Sequence, residues 1–234
     1  MKKVIASLCL SFMFVVAAFS ASSAAVIPGG TYYVVAGESF SLTPGTGSVY
    51  EFKWLLNPGS GQIPIDLLGT TGGAFVRTFG TATDTQVVKN VLQLSVLSEA
   101  AGCLSDIIEH TIIVLPKITI SLTVPQGQDN FCLNQVVNTN LTASITAVTG
   151  LGDYGVTISS AFLWKNGETT IPGETGSILA VTSAGTYSAL TSYILPTSGT
   201  WQATASKLVN SVNSLSKEIR NNLPVPTLPS ITLN

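Results

Sequence analysis

Short apolar runs, separated every few residues by Gly, Pro or Asn, dominate the hydrophobic pattern of this chain. The runs are rich in Val, Ile, Thr, Tyr and Phe, a composition typical of strands bounded by turns. In the first half the pattern predicts strands at residues 31–35, 39–42, 49–55, 74–78, 87–97 and 109–114. In the second half it predicts strands at residues 118–124, 141–147, 160–165, 178–181, 185–193, 200–205 and 215–220.

Two segments compete with this assignment as helices, residues 97–108 and 207–219. Both are rich in Ser or broken by Gly, and these residues disfavour helix interiors. Loops of a few residues separate most of the predicted strands. The pattern therefore predicts an all-β sandwich fold.

A weak internal repeat divides the chain into two domains. Phe52-Lys53-Trp54 aligns with Phe162-Leu163-Trp164 at an offset of 110 residues. A Trp in the third strand fills the space between the two sheets of an immunoglobulin-like sandwich. We therefore predict two tandem immunoglobulin-like β-sandwiches, at residues 26–116 and 117–223, with Trp54 and Trp164 in their cores.

The second half also carries the pattern of a tyrosine corner in Gly185-Thr186-Tyr187-Ser188-Ala189. In such a corner the Tyr hydroxyl bonds to the backbone at the turn into strand F. Ala189 then stands where antibody domains carry a Cys. This assigns Tyr187 to the structural core together with the two Trp residues. The alternative is that these residues are ordinary core aromatics of another kind of sandwich.

Four short motifs in the second domain follow a known family pattern. They stand here as Phe162-Leu163-Trp164-Lys165-Asn166-Gly167, Ile171-Pro172-Gly173, Ile178-Leu179-Ala180-Val181-Thr182 and Ala184-Gly185-Thr186-Tyr187-Ser188. In these motifs the chain resembles the Ig-like and PKD-like tandem repeat domains of secreted and cell-surface Bacteroidota proteins. The resemblance implies a modular extracellular building block, with no catalytic residue to carry over. The chain departs from the family in lacking a Cys near Ser39 and another after Thr200.

The first 25 residues have the composition of a cleavable signal peptide. Lys2 and Lys3 precede an apolar run over residues 4–19, and small residues follow it at 22–25. A membrane anchor is the alternative, but no basic stop sequence follows the run. No later apolar run is long enough to span a bilayer. We expect a mature chain without a membrane span, secreted or held at the cell surface.

The last eleven residues, 224–234, contain a Pro-rich spacer and a further predicted strand. Leu228-Pro229-Ser230-Ile231-Thr232-Leu233 echoes Leu115-Pro116-Lys117-Ile118-Thr119-Ile120, 113 residues earlier. The earlier copy is the predicted linker and opening strand of the second domain. The later copy is then an opening strand without a domain after it. We predict that Leu228, Ile231 and Leu233 form an assembly strand donated to a neighbouring protein.

Charge excludes one class of partner. Charged residues make up only 9% of the chain, against a usual ~25%. Basic residues number 10 and acidic residues 12, and loss of Lys2 and Lys3 with the leader would make the chain more acidic. A nucleic-acid groove needs clustered Lys and Arg, so nucleic acid is not an expected partner. No spacing of His, Cys or carboxylates matches a zinc or calcium motif, and we expect no metal and no cofactor.

Catalysis has little support in the sequence. His110 is the single His, and we expect it in an edge or last strand near Asp106 and Glu109. No nucleophile-elbow motif surrounds any Ser, and a lone His in a strand is usually an ordinary solvated side chain. We therefore predict that the protein is not an enzyme.

Cys103 and Cys132 are the two Cys residues outside the leader. An exported protein meets oxidising conditions, which favours a disulfide. The predicted strand between them, however, would span about 33 Å over roughly ten residues. A disulfide needs Cα atoms within ~7 Å of each other. Both outcomes stay open, a Cys103–Cys132 disulfide or thiols that are free or bonded between molecules.

Two functions are consistent with these features. The leading hypothesis is an extracellular structural or adhesion subunit that self-associates, or binds another surface protein, by donating its C-terminal strand to an open groove of the first domain. The alternative is a carbohydrate- or protein-binding module of a surface or secretion system. Aromatic rings that could stack on a glycan are those of Tyr32, Tyr33, Tyr154, Tyr193 and Trp201.

Overall fold

Strands make up nearly all of the regular structure. The computed structural model describes residues 26–45, 51–57, 65–68, 74–80, 85–97, 105–197 and 211–226. These ranges contain eighteen strands and one short 3-10 helix, Gly152–Tyr154. No helix within them is long and apolar enough to cross a bilayer. The predicted leader and the predicted strand at 200–205 lie outside them.

The first module contains seven strands in two sheets. They are β1 Val26–Val35, β2 Ser39–Leu42, β3 Glu51–Asn57, β4 Ile65–Leu68, β5 Phe75–Thr78, β6 Val88–Leu97 and β7 Ile107–Leu115. One sheet has the order β1-β7-β6-β3-β4, and the other pairs β2 with β5. β1 runs parallel to β7, and all other neighbours are antiparallel.

The second module contains the remaining eleven strands. They are β8 Ile118–Thr123, β9 Asn130–Cys132, β10 Thr139–Ile145, β11 Thr157–Ile158, β12 Leu163–Asn166, β13 Thr169–Thr170, β14 Ile178–Val181, β15 Gly185–Leu190, β16 Tyr193–Ile194, β17 Ser211–Ser214 and β18 Lys217–Leu223. The two main sheets have the orders β14-β10-β8-β17 and β13-β12-β15-β18-β9, and β11 pairs with β16. The predicted all-β fold of immunoglobulin-like sandwiches is confirmed.

Alternate side chains of the first module point into an aromatic core. On β2, Phe40 and Leu42 are buried and alternate with serines, as the period of a strand requires. Trp54 on β3 is also buried, with its ring 5.7 Å from that of Phe75. Each such side chain contributes about 1.5–3 kcal/mol of burial free energy, so this cluster holds the two sheets together.

The core of the second module is built around Trp164, which is fully buried on β12. Its indole Nε1 donates a 2.8 Å hydrogen bond to the carbonyl of Gly176, so the polar end of the ring is satisfied. Tyr187 on β15 is buried, and its hydroxyl donates a 2.8 Å hydrogen bond to the carbonyl of Ser183. This bond, from the ring to the turn before strand F, is the geometry of a tyrosine corner.

The strands that the hydrophobic pattern missed are short. β4, β9 and β13 each lie at the margin of a sheet, have one neighbour and are at most four residues long, which is too short for a clear alternation of apolar and polar residues. The predicted strand at 185–193 also ends early, at Leu190. Thr191 leaves the ladder there because its hydroxyl donates to the carbonyl of Ser159 at 2.9 Å.

Candidate assembly interface

The two modules are joined by a linker of two residues, and the core of the second module extends across the junction into the first. β7 ends at Leu115 and β8 begins at Ile118, and both of these side chains are completely buried. A single cluster of buried apolar residues contains Tyr33 and Ile113 of the first module together with the core of the second. The second module therefore covers the outward faces of β1 and β7 next to the linker.

Two tyrosine hydroxyls bond across the junction. Tyr193 donates a buried 2.6 Å hydrogen bond to the carbonyl of Pro116, and burial raises the pKa of its phenol far above the usual range. Tyr33 donates to the carbonyl of Tyr154 at 3.4 Å, and burial raises its pKa as well. Both phenols therefore stay protonated and remain donors throughout the physiological pH range.

The backbone adds a third connection between the modules. The amide of Val87 donates to the carbonyl of Thr149 at 3.1 Å, and the amide of Thr149 donates to the carbonyl of Thr85 at 3.0 Å. Gly150 follows with a φ of +80°, a conformation that glycine adopts without strain. The tyrosine hydrogen bonds, the backbone bonds at Thr149 and the buried apolar cluster all oppose hinge motion between the modules. The two modules therefore form one stiff unit.

The far end of the second module repeats the geometry of the junction. In the first module the amide of Ala36 donates to the carbonyl of Leu115 at 2.7 Å. In the second module the amide of Leu133 donates to the carbonyl of Leu223 at 2.8 Å. Leu223-Pro224 therefore occupies the place of Leu115-Pro116, five residues before the echo that begins at Leu228.

The two equivalent ends differ in what covers them. Leu115 is 0% exposed beneath the second module, whereas Leu223 is 41% exposed. Leu133, whose amide bonds to Leu223, is 54% exposed, and Val136 three residues later is 81% exposed. We call these three residues, with the exposed Val225, the distal face. Grouped exposed apolar side chains of this kind are typical of protein contact sites.

The strand β2 of the first module lacks a neighbour that its counterpart in the second module has. In the second module β10 lies between β14 and β8, and is paired on both sides. The corresponding strand of the first module, β2, pairs with β5 and with no other strand in the described part of the chain. The other side of β7 is occupied, because β1 pairs with β7 along its full length. The edge of β2 that faces away from β5 therefore has no strand partner among the described residues.

The predicted site residues fall into two groups. Trp54, Trp164 and Tyr187 are described and lie in the two cores. The predicted assembly strand, Leu228, Ile231 and Leu233, lies outside the described residues, and so does Cys103. Cys132 is half-buried on β9, where no disulfide joins it to another described residue.

The sugar-stacking prediction is wrong for Tyr33 and Tyr193. Both rings are buried. The second module packs on the outward face of β1 and so covers Tyr33, and Tyr193 lies in the core at the junction with its hydroxyl bonded to Pro116. Tyr32 and Tyr154 are partly exposed, and Trp201 lies outside the described residues. Stacking needs an open ring face, so two of the five proposed rings are excluded.

His110 lies inside a sheet rather than at an edge, since β7 has neighbours on both sides. Its Nδ1 accepts a 3.0 Å hydrogen bond from the backbone amide of Gly30, and its ring lies 5.5 Å from that of Tyr32. Burial lowers the pKa of its imidazole. A ring nitrogen that accepts a backbone bond has a structural role at the bulge of β1 between Pro28 and Thr31.

A cavity in the first module has no counterpart in the sequence-based predictions. It measures about 310 Å³ and lies near the end of the first module that faces the linker. Its lining includes Ala36, Arg77, Phe79, Val88, Asn90 and Val114. Asn90 is 5% exposed, and its side chain has no hydrogen-bond partner among the residues that the structure describes. A buried amide in an apolar strand pattern was the signal available in the sequence.

Comparison with known proteins leaves the family open. No protein-family model and no curated protein matches this chain. Among solved structures, the N-terminal four Ig domains of Dscam1 isoform 7.44 align over 73% of this chain and 41% of that chain, with 11% identity and a TM-score of 0.28. A sialyltransferase from Photobacterium damsela aligns over 48% of this chain and 20% of that chain, with 14% identity and a TM-score of 0.28. The alignment thus spans about two fifths of the length of that four-domain Dscam1 chain, and scores this low carry no functional conclusion.

Proposed function

We propose that this protein is an extracellular structural or adhesion subunit that assembles head to tail with copies of itself. The observation that supports it is the distal face, which repeats the geometry of the covered end of the first module but is itself uncovered. A stiff two-module unit with such a face at one end suits a linear assembly. The leader-like residues 1–25 support export.

The proposed connection is made by the segment that follows the distal face. Residues 228–233 resemble Leu115–Ile120, which contains the first half of β8. β8 pairs antiparallel with β10 and buries Ile118 and Ile120 completely. By analogy, Ile231 and Leu233 of one copy would face the core of the next copy, and the segment would pair with the edge of β2 that faces away from β5. Pro44 lies just beyond β2, so this pairing is limited to about four residues.

The length of the C-terminal segment favours its donation to another copy over its pairing with β2 of the same chain. Ser211 pairs beside Ile118 at the junction, and the chain then runs along β17 and β18 to Leu223. These twelve residue steps cover about 40 Å in extended conformation. From Pro226 the chain to Leu233 reaches at most about 25 Å, which is too short to return to its own β2.

Sedimentation velocity and negative-stain microscopy of the mature chain test the proposal. The wild type should form linear assemblies, and a chain ending at residue 223 should stay monomeric. Ile231→Lys should also abolish assembly, because a charge would have to enter an apolar core. The matched control is Thr232→Lys, which places the same charge on the outward side and should leave assembly intact. A strictly monomeric wild type, or polymers unchanged by the truncation, would contradict the proposal.

A further inference from the structure

We infer that the cavity beside Asn90 is a binding site for a small carboxylic acid with an apolar body. The inference concerns the first module alone and does not depend on assembly. Asn90 lies on β6 with its side chain directed between the sheets, in the same inward row as Leu92 and Leu94. A buried amide without a partner is unfavourable, so a ligand atom that bonds to it would relieve that cost.

Comparison of the two modules shows how the residues beside this cavity differ from those at the equivalent place in the second module. Trp54 pairs with Leu94 across β3 and β6, and Trp164 pairs with Ala189 across β12 and β15. Two residues earlier on each strand, Leu92 therefore takes the place of Tyr187. In the second module this place holds the buried phenol of the tyrosine corner, whereas the first module has no phenol at this position.

The modules also differ at the next inward-facing position of β6 and β15. Asn90 takes the place of Gly185, which has no side chain and whose Cα lies against the side chain of Asn166. In the second module Gly185 lines an open surface pocket of about 340 Å³, and none of the polar residues in its lining is buried. In the first module a buried polar side chain lines a space of about 310 Å³. A space of this size admits a ligand about as large as one amino-acid residue.

Arg77 determines the charge of the expected ligand. Its half-buried guanidinium lies 5.7 Å from the centre of the Phe79 ring, which orients it at the cavity. It forms no salt bridge with any residue that the structure describes. A guanidinium offers a planar fork of donors that matches a carboxylate. Arg77 would bind the carboxylate, and the apolar lining would hold the body of the ligand.

Two sources share this chemistry, a free acylated amino acid and the carboxyl end of a peptide. The probes are therefore N-acetyl-leucine, its neutral amide N-acetyl-leucinamide, and the peptide acetyl-Ala-Ala-Leu in free-acid and amidated forms, which has no sequence in common with residues 228–234 and so does not probe the edge of β2. Binding to the mature protein is measured by NMR chemical-shift titration. Each free acid should bind at least tenfold more tightly than its amide. Tighter binding by the peptide acid than by N-acetyl-leucine would identify a peptide end as the ligand.

Three variants test the residues. Arg77→Gln removes the charge at the rim and should weaken binding of the acid at least tenfold, without affecting the amide. Asn90→Leu fills the cavity and should abolish binding of both forms, with thermal unfolding as the check that the variant folds. Lys89→Gln is the control, since it removes an equal charge from the exposed side of the same strand. Equal affinity for acid and amide, no saturable shift, or undiminished binding by Arg77→Gln would overturn the inference.

Discussion

The hydroxyl of Tyr193 in the second module donates a 2.6 Å hydrogen bond to the carbonyl of Pro116 in the linker. Both atoms are buried, so no water replaces the bond if the hydroxyl is removed. We predict that Tyr193→Phe lowers the free energy of unfolding by about 1–3 kcal/mol, because it leaves the carbonyl unpaired. Urea unfolding measures this loss. Tyr154→Phe is the matched control, since Tyr154 accepts from Tyr33 through its backbone carbonyl. Equal losses in both variants would contradict a specific role for the Tyr193 bond.

The tyrosine corner of the second module should be measurable in the same way. Tyr187→Phe keeps the buried ring and removes the hydroxyl that donates to the carbonyl of Ser183. We expect the free energy of unfolding to fall by about 1 kcal/mol, the usual net contribution of an intramolecular hydrogen bond. Leu92→Met, at the equivalent place in the first module, removes no hydrogen bond and serves as the comparison. An unchanged free energy of unfolding in Tyr187→Phe would show that the hydrogen bond of the tyrosine corner does not contribute to stability.

Gly29 should tolerate no side chain. A Cβ at this position would collide with the imidazole of His110 and with the backbone carbonyl of Glu109. The backbone cannot give way as a flexible side chain would, so we expect Gly29→Ala to cost about 1–3 kcal/mol through overpacking. Gly45→Ala is the matched control, because nothing lies within 4 Å of a Cβ there. Thermal unfolding of the two variants should separate them clearly, and equal melting temperatures would refute this account of the bulge.

The pH dependence of stability should reflect His110. Burial lowers its pKa in the folded state, so the unfolded chain binds a proton more readily between the two pKa values. The stability contribution is therefore complete above the unfolded pKa of about 6.5 and is lost as the pH falls below it. Protonation of Nδ1 would also remove the acceptor for the amide of Gly30.

Urea unfolding between pH 7.5 and pH 5 tests this expectation. The wild type should lose stability over this interval, whereas His110→Asn should stay nearly constant, since Asn offers an acceptor that does not titrate. The Asp129 carboxyl does not interfere, because its bond to Lys217 holds its pKa below an already acidic value. A slope in the variant as steep as that of the wild type would exclude His110 as the cause.

Local pattern was enough to predict the main strands and the centres of both cores. Ser39–Leu42 and Ile178–Val181 have the predicted limits, because alternation of apolar and polar residues shows which side chains a strand buries. The burial of Trp164 was predictable because a Trp in the third strand of an immunoglobulin-like sandwich fills the space between the two sheets. Short marginal strands such as β13 were missed, since they are too short for a clear alternation of apolar and polar residues.

Only the tertiary structure shows which residues contact the outward faces of those strands. Alternation places Tyr33 on the outside of its own sandwich, yet it is buried because the second module packs over β1. His110 likewise lies inside a sheet because β1 joins the far side of β7, a pairing between residues about 80 positions apart. A local sequence pattern determines which face of a strand is apolar. Which distant segment covers the other face, and where a cavity is left, depends on packing between elements that no local pattern contains.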